Sequence, residues 1–502
     1  MDCLIKVARI ACMLACLLAS FLPMSSCQSN IQSGSNSPSE KYRVVILTDM
    51  THDDGNSLIR YLYYASLFDL EGLIITNQLP DFNHDDPRPW QKAMAVLDAY
   101  KQELPQLRRH DPDLPDYEEL LAVTKRGRGA LPIIWLTNTL KFSDNIADRY
   151  VTSAWDSVYY HDWIGEGLTP KGEPKDSEGS DFLVQLFEKD DERPIFLQAW
   201  GGTITLVQAL HRYRQKHGQE QFNRLLPKLH LFGILFQDIS FEFFADFLKM
   251  QEQTCANFGT AIPTYGEAPV SLGKVLFDNG HFWYFVWSRD PQWKKPVTAK
   301  DVNGHGPMSE IYDDGGEGDT PSFLYLLSAT LGLNDPLDPT QGSWGSLFRP
   351  MGDAFPEGYF STCDVDQQEL IRWVPASTNS FKNRLLWSIK APGEVNREPK
   401  ASVNGDYSNR ILYIKGKPGS KISFDASGSK DPDGDQLTFN WFHYDLADSY
   451  EGAVQIPNPD HHVLEFTIPE NLGSHNIHLI LEVKDDGTPS LVSYRRIIIS
   501  SE

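Results

Sequence analysis

From residue 42 to about 236 the apolar positions follow two alternating rhythms. Short unbroken runs at 44–47, 72–76, 131–136 and 194–199 are rich in β-branched residues and read as buried strands. Between them, stretches such as 90–104 and 181–188 repeat apolar residues at helical spacing, as do Leu58, Ile59, Leu62 and Tyr63. Segments 203–213 and 229–236 continue the alternation. Strands that alternate with helices predict an α/β fold, a doubly wound and mostly parallel sheet with helices on both faces. Through Ala391-Pro392-Gly393 and Arg397-Glu398-Pro399 the rhythm changes. Runs at 421–425, 437–441, 464–467, 478–483 and 494–499 then alternate with period two between polar turns, which predicts a small all-β, immunoglobulin-like sandwich. The expected organisation is a large domain over 41–390 and a sandwich over 399–502, with no internal repeat.

The first 27 residues follow a different logic. Lys6 and Arg9 precede an apolar run at 10–22 that is too short for a spanning helix, the pattern of an export signal. Met24-Ser25-Ser26-Cys27 resembles a bacterial lipobox, with Cys27 as the lipid anchor. Residues 28–40, rich in Ser, Asn and Gly, read as a tether. The expected product is an exported bacterial lipoprotein, periplasmic or on the outer membrane or cell surface.

Composition is ordinary for a globular chain, 41% hydrophobic and 23% charged, but the net charge is −23. Such a surface disfavours nucleic-acid polymers, whose binding rests on phosphate neutralisation. It suits neutral, cationic or metal-bridged ligands. Loss of the signal leaves only Cys255 and Cys363 besides the anchor; two separated cysteines are no disulfide framework.

Chemistry concentrates where the first strand ends. Asp49 closes the run 44–48, and Asp53 and Asp54 follow just before the helical pattern begins. Ligands of open α/β sheets bind beyond the carboxyl ends of the strands. Three carboxylates there repel one another unless a cation or polyol holds them, and calcium takes such oxygen clusters. The same residues would also serve as a strand-end Asp and an Asp-Asp helix start without metal.

Asp-x-x-x-Asp-Asp after an apolar strand resembles the N-terminal signature of the nucleoside hydrolase superfamily, which holds one calcium ion and hydrolyses N-glycosidic bonds of ribosides. That family usually carries another Asp two residues before the position of Asp49, where this chain has Leu47. Further segments follow in order: Asp176-Ser177-Glu178-Gly179-Ser180-Asp181, Trp200-Gly201-Gly202, Glu317-Gly318-Asp319-Thr320-Pro321 and Gly342-Ser343-Trp344-Gly345. The set resembles a bacterial nucleoside hydrolase-like branch associated with cellulose-binding proteins, which carries a C-terminal β-sandwich. Ser427 to Asp435, the strand holding Trp441, and Asp485 to Ser490 resemble PKD-type modules.

The resemblance implies a calcium site built from Asp49, Asp54, Asp319 and the main-chain carbonyl of Trp200. It implies Asp49 as general base and Asp53, Asn77, Glu178 and Asp238 as substrate contacts. His305, between two glycines, is a candidate proton donor for a leaving group, and His281 a lesser one. The Glu-x-Asn pattern that grips ribose in true nucleoside hydrolases is not found. Two functions follow: a calcium-dependent hydrolase of N-glycosidic bonds in nucleosides or related glycosides at the cell envelope, or a non-catalytic lipoprotein that binds cellulose or another glycan.

Overall fold

The computed structural model describes residues 32–33, 41–76, 87–129, 163–169, 172–234, 238, 240, 243–244, 270–278, 280–286, 296–353 and 355–502. The expected strand at 131–136 lies outside them. A two-residue strand, β1 (Gln32–Ser33), precedes the main sheet, which is built from β2 (Tyr42–Thr48), β3 (Phe68–Ile75), β4 (Thr124–Arg126), β5 (Ile195–Ala199), β6 (Leu229–Ile234), β7 (Lys274–Asp278), β8 (Arg349–Pro350) and β9 (Tyr359–Ser361). Their order is β4-β3-β2-β5-β6-β7-β9-β8, with every pair parallel except β8 with β9.

The chain winds one way from β2 to β4, then returns to the other side of β2 with β5. That reversal opens a crevice at the carboxyl ends of β2 and β5. β2 is buried on both faces, which is why it reads as a solid apolar run. Val44 and Ile46 pack against α1 (His52–Leu62), α2 (Arg88–Leu107) and a later helix over 320–330. Val45 and Leu47 pack on the opposite face, against residues of the helices over 178–187 and 204–225. The side chain of Leu47, which stands where the resembling family has an Asp, is thus part of the core.

In chain order the remaining long helices are α3 (Tyr117–Val123), α4 (Glu178–Phe187), α5 (Ile204–Leu225), α6 (Thr320–Thr330) and α7 (Val374–Leu385). Lys92, near the start of α2, reaches the carbonyl of Thr51 at the start of α1. Glu103, near the end of α2, takes the hydroxyl of Tyr63 just past the end of α1 at 2.5 Å. The two helices therefore run parallel, as successive crossovers on one face must.

The C-terminal strands are β10 (Leu412–Gly416), β11 (Lys421–Asp425), β12 (Thr438–His443), β13 (Val463–Thr467), β14 (Asn476–Lys484) and β15 (Val492–Ser501). They form one sheet ordered β1-β10-β15-β14-β12 and a β11-β13 pair. Trp441 of the first sheet packs against Phe424 of the second, ring centroids 6.1 Å apart, over a core of its own. Alternate residues of β14 and β15 face the other way. Ile480, Val492 and Tyr494 belong to the core of the large domain. Tyr494 meets Trp344 and Trp373 edge-on, with centroids 6.4 and 5.8 Å apart. The buried guanidinium of Arg496 donates to the carbonyls of Leu333 and Gln341. The sandwich is thus welded to the α/β domain. Residues 32–33, inside the expected tether, pair antiparallel with Leu412 and Tyr413. Among the described residues no helix is long and apolar enough to cross a membrane.

Candidate functional site

β2 ends in Thr48 and Asp49, and Met50 then takes a left-handed conformation, φ 54°. The reversal aims the amides of Asp49 and Met50 at one oxygen of Asp54, each at 3.2 Å. The hydroxyl of Thr48 donates to the same oxygen, and that of Thr51 to the other at 2.9 Å. Four donors therefore fix Asp54 in the first turn of α1, where the helix dipole also favours a carboxylate. Asp319 arrives from the start of α6. Its loop is pinned by α1: Asn56 donates to the carbonyls of Asp313 (2.9 Å) and Gly316 (2.8 Å), and Arg60 forms a buried ion pair with Glu317 at 2.7 Å.

The result is a three-carboxylate group. Asp53, Asp54 and Asp319 each offer an oxygen, all within 4.8 Å of one another. Two oxygens bound to one calcium at 2.3–2.6 Å lie at most about 5 Å apart, so one ion can reach all three. Oδ2 of Asp319, a residue 1% exposed, is buried without a hydrogen-bond partner. Such an atom is costly unless something positive meets it. Burial, then Asp54, Asp53 and Asp49, hold the Asp319 carboxyl well above its ordinary range. Burial and Asp54 push Asp53 up to about 7, against a lowering by Lys92. The donor set is all oxygen and anionic, which fits a hard divalent cation.

The expected set had Asp49 with Asp54 and Asp319, and Asp53 as a substrate contact. Here Asp53 joins the closest group and Asp49 stands beside it. One Asp49 oxygen accepts the Thr51 amide at 3.0 Å, and burial and then Asp54 raise its carboxyl too. Two glycines explain the tight fit. A Cβ on Gly201 would lie 2.9 Å from the Asp49 nitrogen, and one on Gly318 would lie 2.2 Å from Oδ2 of Asp53. Trp200 is fully buried at the end of β5, and its indole N–H donates to Ser322 of α6 at 2.7 Å.

Other candidates fall elsewhere. The main chain of His305 receives the Tyr63 hydroxyl at 3.4 Å, and the neighbouring Met308 amide donates to Glu103. Tyr63 lies nine residues past Asp54, about 14 Å along the helix. His305 therefore sits at the opposite edge of the sheet, out of reach of a leaving group at the carboxylates. His281 has both ring nitrogens engaged, by Ser346 at 2.6 Å and the Val365 carbonyl at 3.0 Å. Asp238 accepts the Ile204 amide at the start of α5 (3.0 Å) and the Ser240 amide (2.9 Å), so it anchors a helix end instead of facing a substrate. Glu178 opens α4 at the carboxyl edge but leans toward β4, accepting the Arg126 amide at 3.3 Å and pairing with Lys125 at 3.4 Å. Asn77, Cys27 and Cys255 lie outside the described residues. Thr48, Thr51 and Lys92 join the site without having been expected there; the Thr-Asp-Met-Thr run was the available signal for the first two.

A parallel sheet with its carboxylates at the reversal, together with the comparisons that follow, marks a nucleoside hydrolase-like α/β protein. The chain belongs to one family within it: residues 43–348 match the model for the cellulose-binding Sde182 nucleoside hydrolase-like domain, and residues 421–501 that for the cellulose-binding protein Sde0182 C-terminal domain. Among solved structures it is similar to a nucleoside hydrolase-related hypothetical protein from Saccharophagus degradans that is associated with carbohydrate metabolism. The two share 28% identity with a TM-score of 0.69, over 92% of this chain and 100% of the other. No curated protein matches the chain in sequence.

Proposed function

We propose that the protein is a calcium-dependent glycosidic hydrolase, acting on small N-glycosides or glycan-derived molecules at the cell envelope, where Cys27 would anchor it. The observation that carries this reading is the Asp53–Asp54–Asp319 group, its Asp54 and Asp319 buried, with the orphaned Asp319 oxygen. Those three, with the main-chain carbonyl of Trp200, would hold the ion. Bound calcium would supply positive charge for gripping vicinal sugar hydroxyls and for acidifying a water. Asp49, fixed by the Thr51 amide and raised by burial, is suited to accept a proton. The flanking carboxylates would stabilise positive charge as it develops on the sugar ring.

A non-catalytic, glycan-binding protein is the second reading. Leu47 in the core and His305 at the far edge favour it, as does the cellulose-binding label of the family. A panel of p-nitrophenyl riboside and oligosaccharides, assayed with calcium, separates the two. Product release by the wild type and its loss in Asp49→Asn support the hydrolase. Glycan binding without release from any member of the panel supports the binding protein.

A further inference from the structure

The carboxyl edge continues past the carboxylates. Thr48 of β2 is in register with Ile75 of β3, and Ile75 with Arg126 of β4. In a parallel sheet such residues share a row and a face. Arg126 therefore stands two strand spacings from Thr48, about 10 Å, on the face where Thr48 meets Asp54. Its guanidinium lies over the ring of Trp90, 4.5 Å from the centroid. Trp90 opens α2 two residues before Lys92, whose ammonium reaches Thr51 beside the cluster. Arg126 is exposed, and among the described residues no carboxylate pairs with it. In a chain of net charge −23, a guanidinium over an indole at the site's edge, with no carboxylate partner among the described residues, is a feature with a use.

We propose that Arg126 is a specificity residue for an acidic sugar: a uronate carboxylate one ring away from the sugar held at Asp53, Asp54 and Asp319. The guanidinium fork matches a planar carboxylate with two parallel hydrogen bonds. Trp90 is a positioning residue whose ring attracts the guanidinium and restricts where it lies. The roughly 10 Å between Thr48 and Arg126 separates the two positions, so the carboxylate belongs to a different ring from the one held at the cluster. This inference rests on the cation site proposed above.

The test titrates the calcium-loaded full chain with a uronic-acid trisaccharide and with the neutral trisaccharide of the same linkage. We expect the acidic sugar to bind at least roughly tenfold more tightly. Arg126→Gln should erase that preference while leaving the affinity for the neutral sugar and the calcium-induced rise in melting temperature unchanged. Equal affinities in the wild type, or a preference that survives Arg126→Gln, would overturn the proposal while the cation site stands. A wild type whose melting temperature does not respond to calcium would remove the cation site, and this inference with it.

Discussion

Single atoms decide whether the cluster can bind an ion. Gly318 leaves room for the Asp53 carboxylate that no other residue would, so Gly318→Ala must push that carboxylate away. We expect calcium affinity to fall by at least about tenfold in this variant, measured by titration calorimetry. The pH dependence follows from Asp53, whose carboxyl is raised to about 7 in the fold against about 3.9 in an unfolded chain. The metal-free fold binds this proton more tightly than the unfolded chain does, so the associated stability is lost as pH rises from about 4 through 7. Calcium needs the ionised form and competes with that proton. The calcium-induced rise in melting temperature should therefore be larger at pH 8 than at pH 5. The cluster's outline was legible because its carboxylates fall at a strand end and two helix starts, each with a sequence signature. Asp53's membership was not, because it depends on the left-handed turn at Met50 and on the approach of Gly318 from far along the chain.

Helix α1 organises the site at the scale of elements. Its amino end carries Asp53 and Asp54, and its Asn56 and Arg60, one turn apart, hold the loop that delivers Asp319. Arg60 is fully buried and also donates to the carbonyl of Ser377 at the base of α7. Arg60→Leu would leave Glu317 charged and unpaired in the core, which costs about 3–5 kcal/mol. It should lower the melting temperature and weaken calcium binding together, although Arg60 touches no proposed ligand. The alternation of strands and helices announced this architecture, because buried parallel strands and amphipathic helices differ in period. The position of His305 was not legible. A histidine between glycines can sit at either edge of a sheet, and the edge is set by packing against Glu103 on a distant helix.

Across the whole molecule, the sandwich and the α/β domain share buried residues. Periodicity marked the sandwich strands but not the second role of β15, whose Tyr494 and Arg496 face the large domain while Ile497 and Ile499 face the sandwich core. Two apolar faces on one strand look the same in sequence whatever covers the second. Gly332 shows how close the union is: a Cβ there would lie 2.4 Å from the Tyr494 carbonyl oxygen. The full chain should therefore melt in one transition by calorimetry. Tyr494→Ala, which empties the space between Trp344 and Trp373, should lower that single transition by about 3–5 kcal/mol of stability. Two separate transitions, only one of them shifted, would show that the halves fold independently.

Whether Asp53, Asp54 and Asp319 bind one divalent cation is decided by calorimetric titration of calcium into the metal-free full chain. We expect one ion per chain in the wild type and loss of binding in Asp319→Asn, a variant of nearly unchanged shape whose buried position keeps its volume filled. A wild type that takes up no calcium, or an Asp319→Asn variant that binds it as well as the wild type, would show that these carboxylates hold no cation.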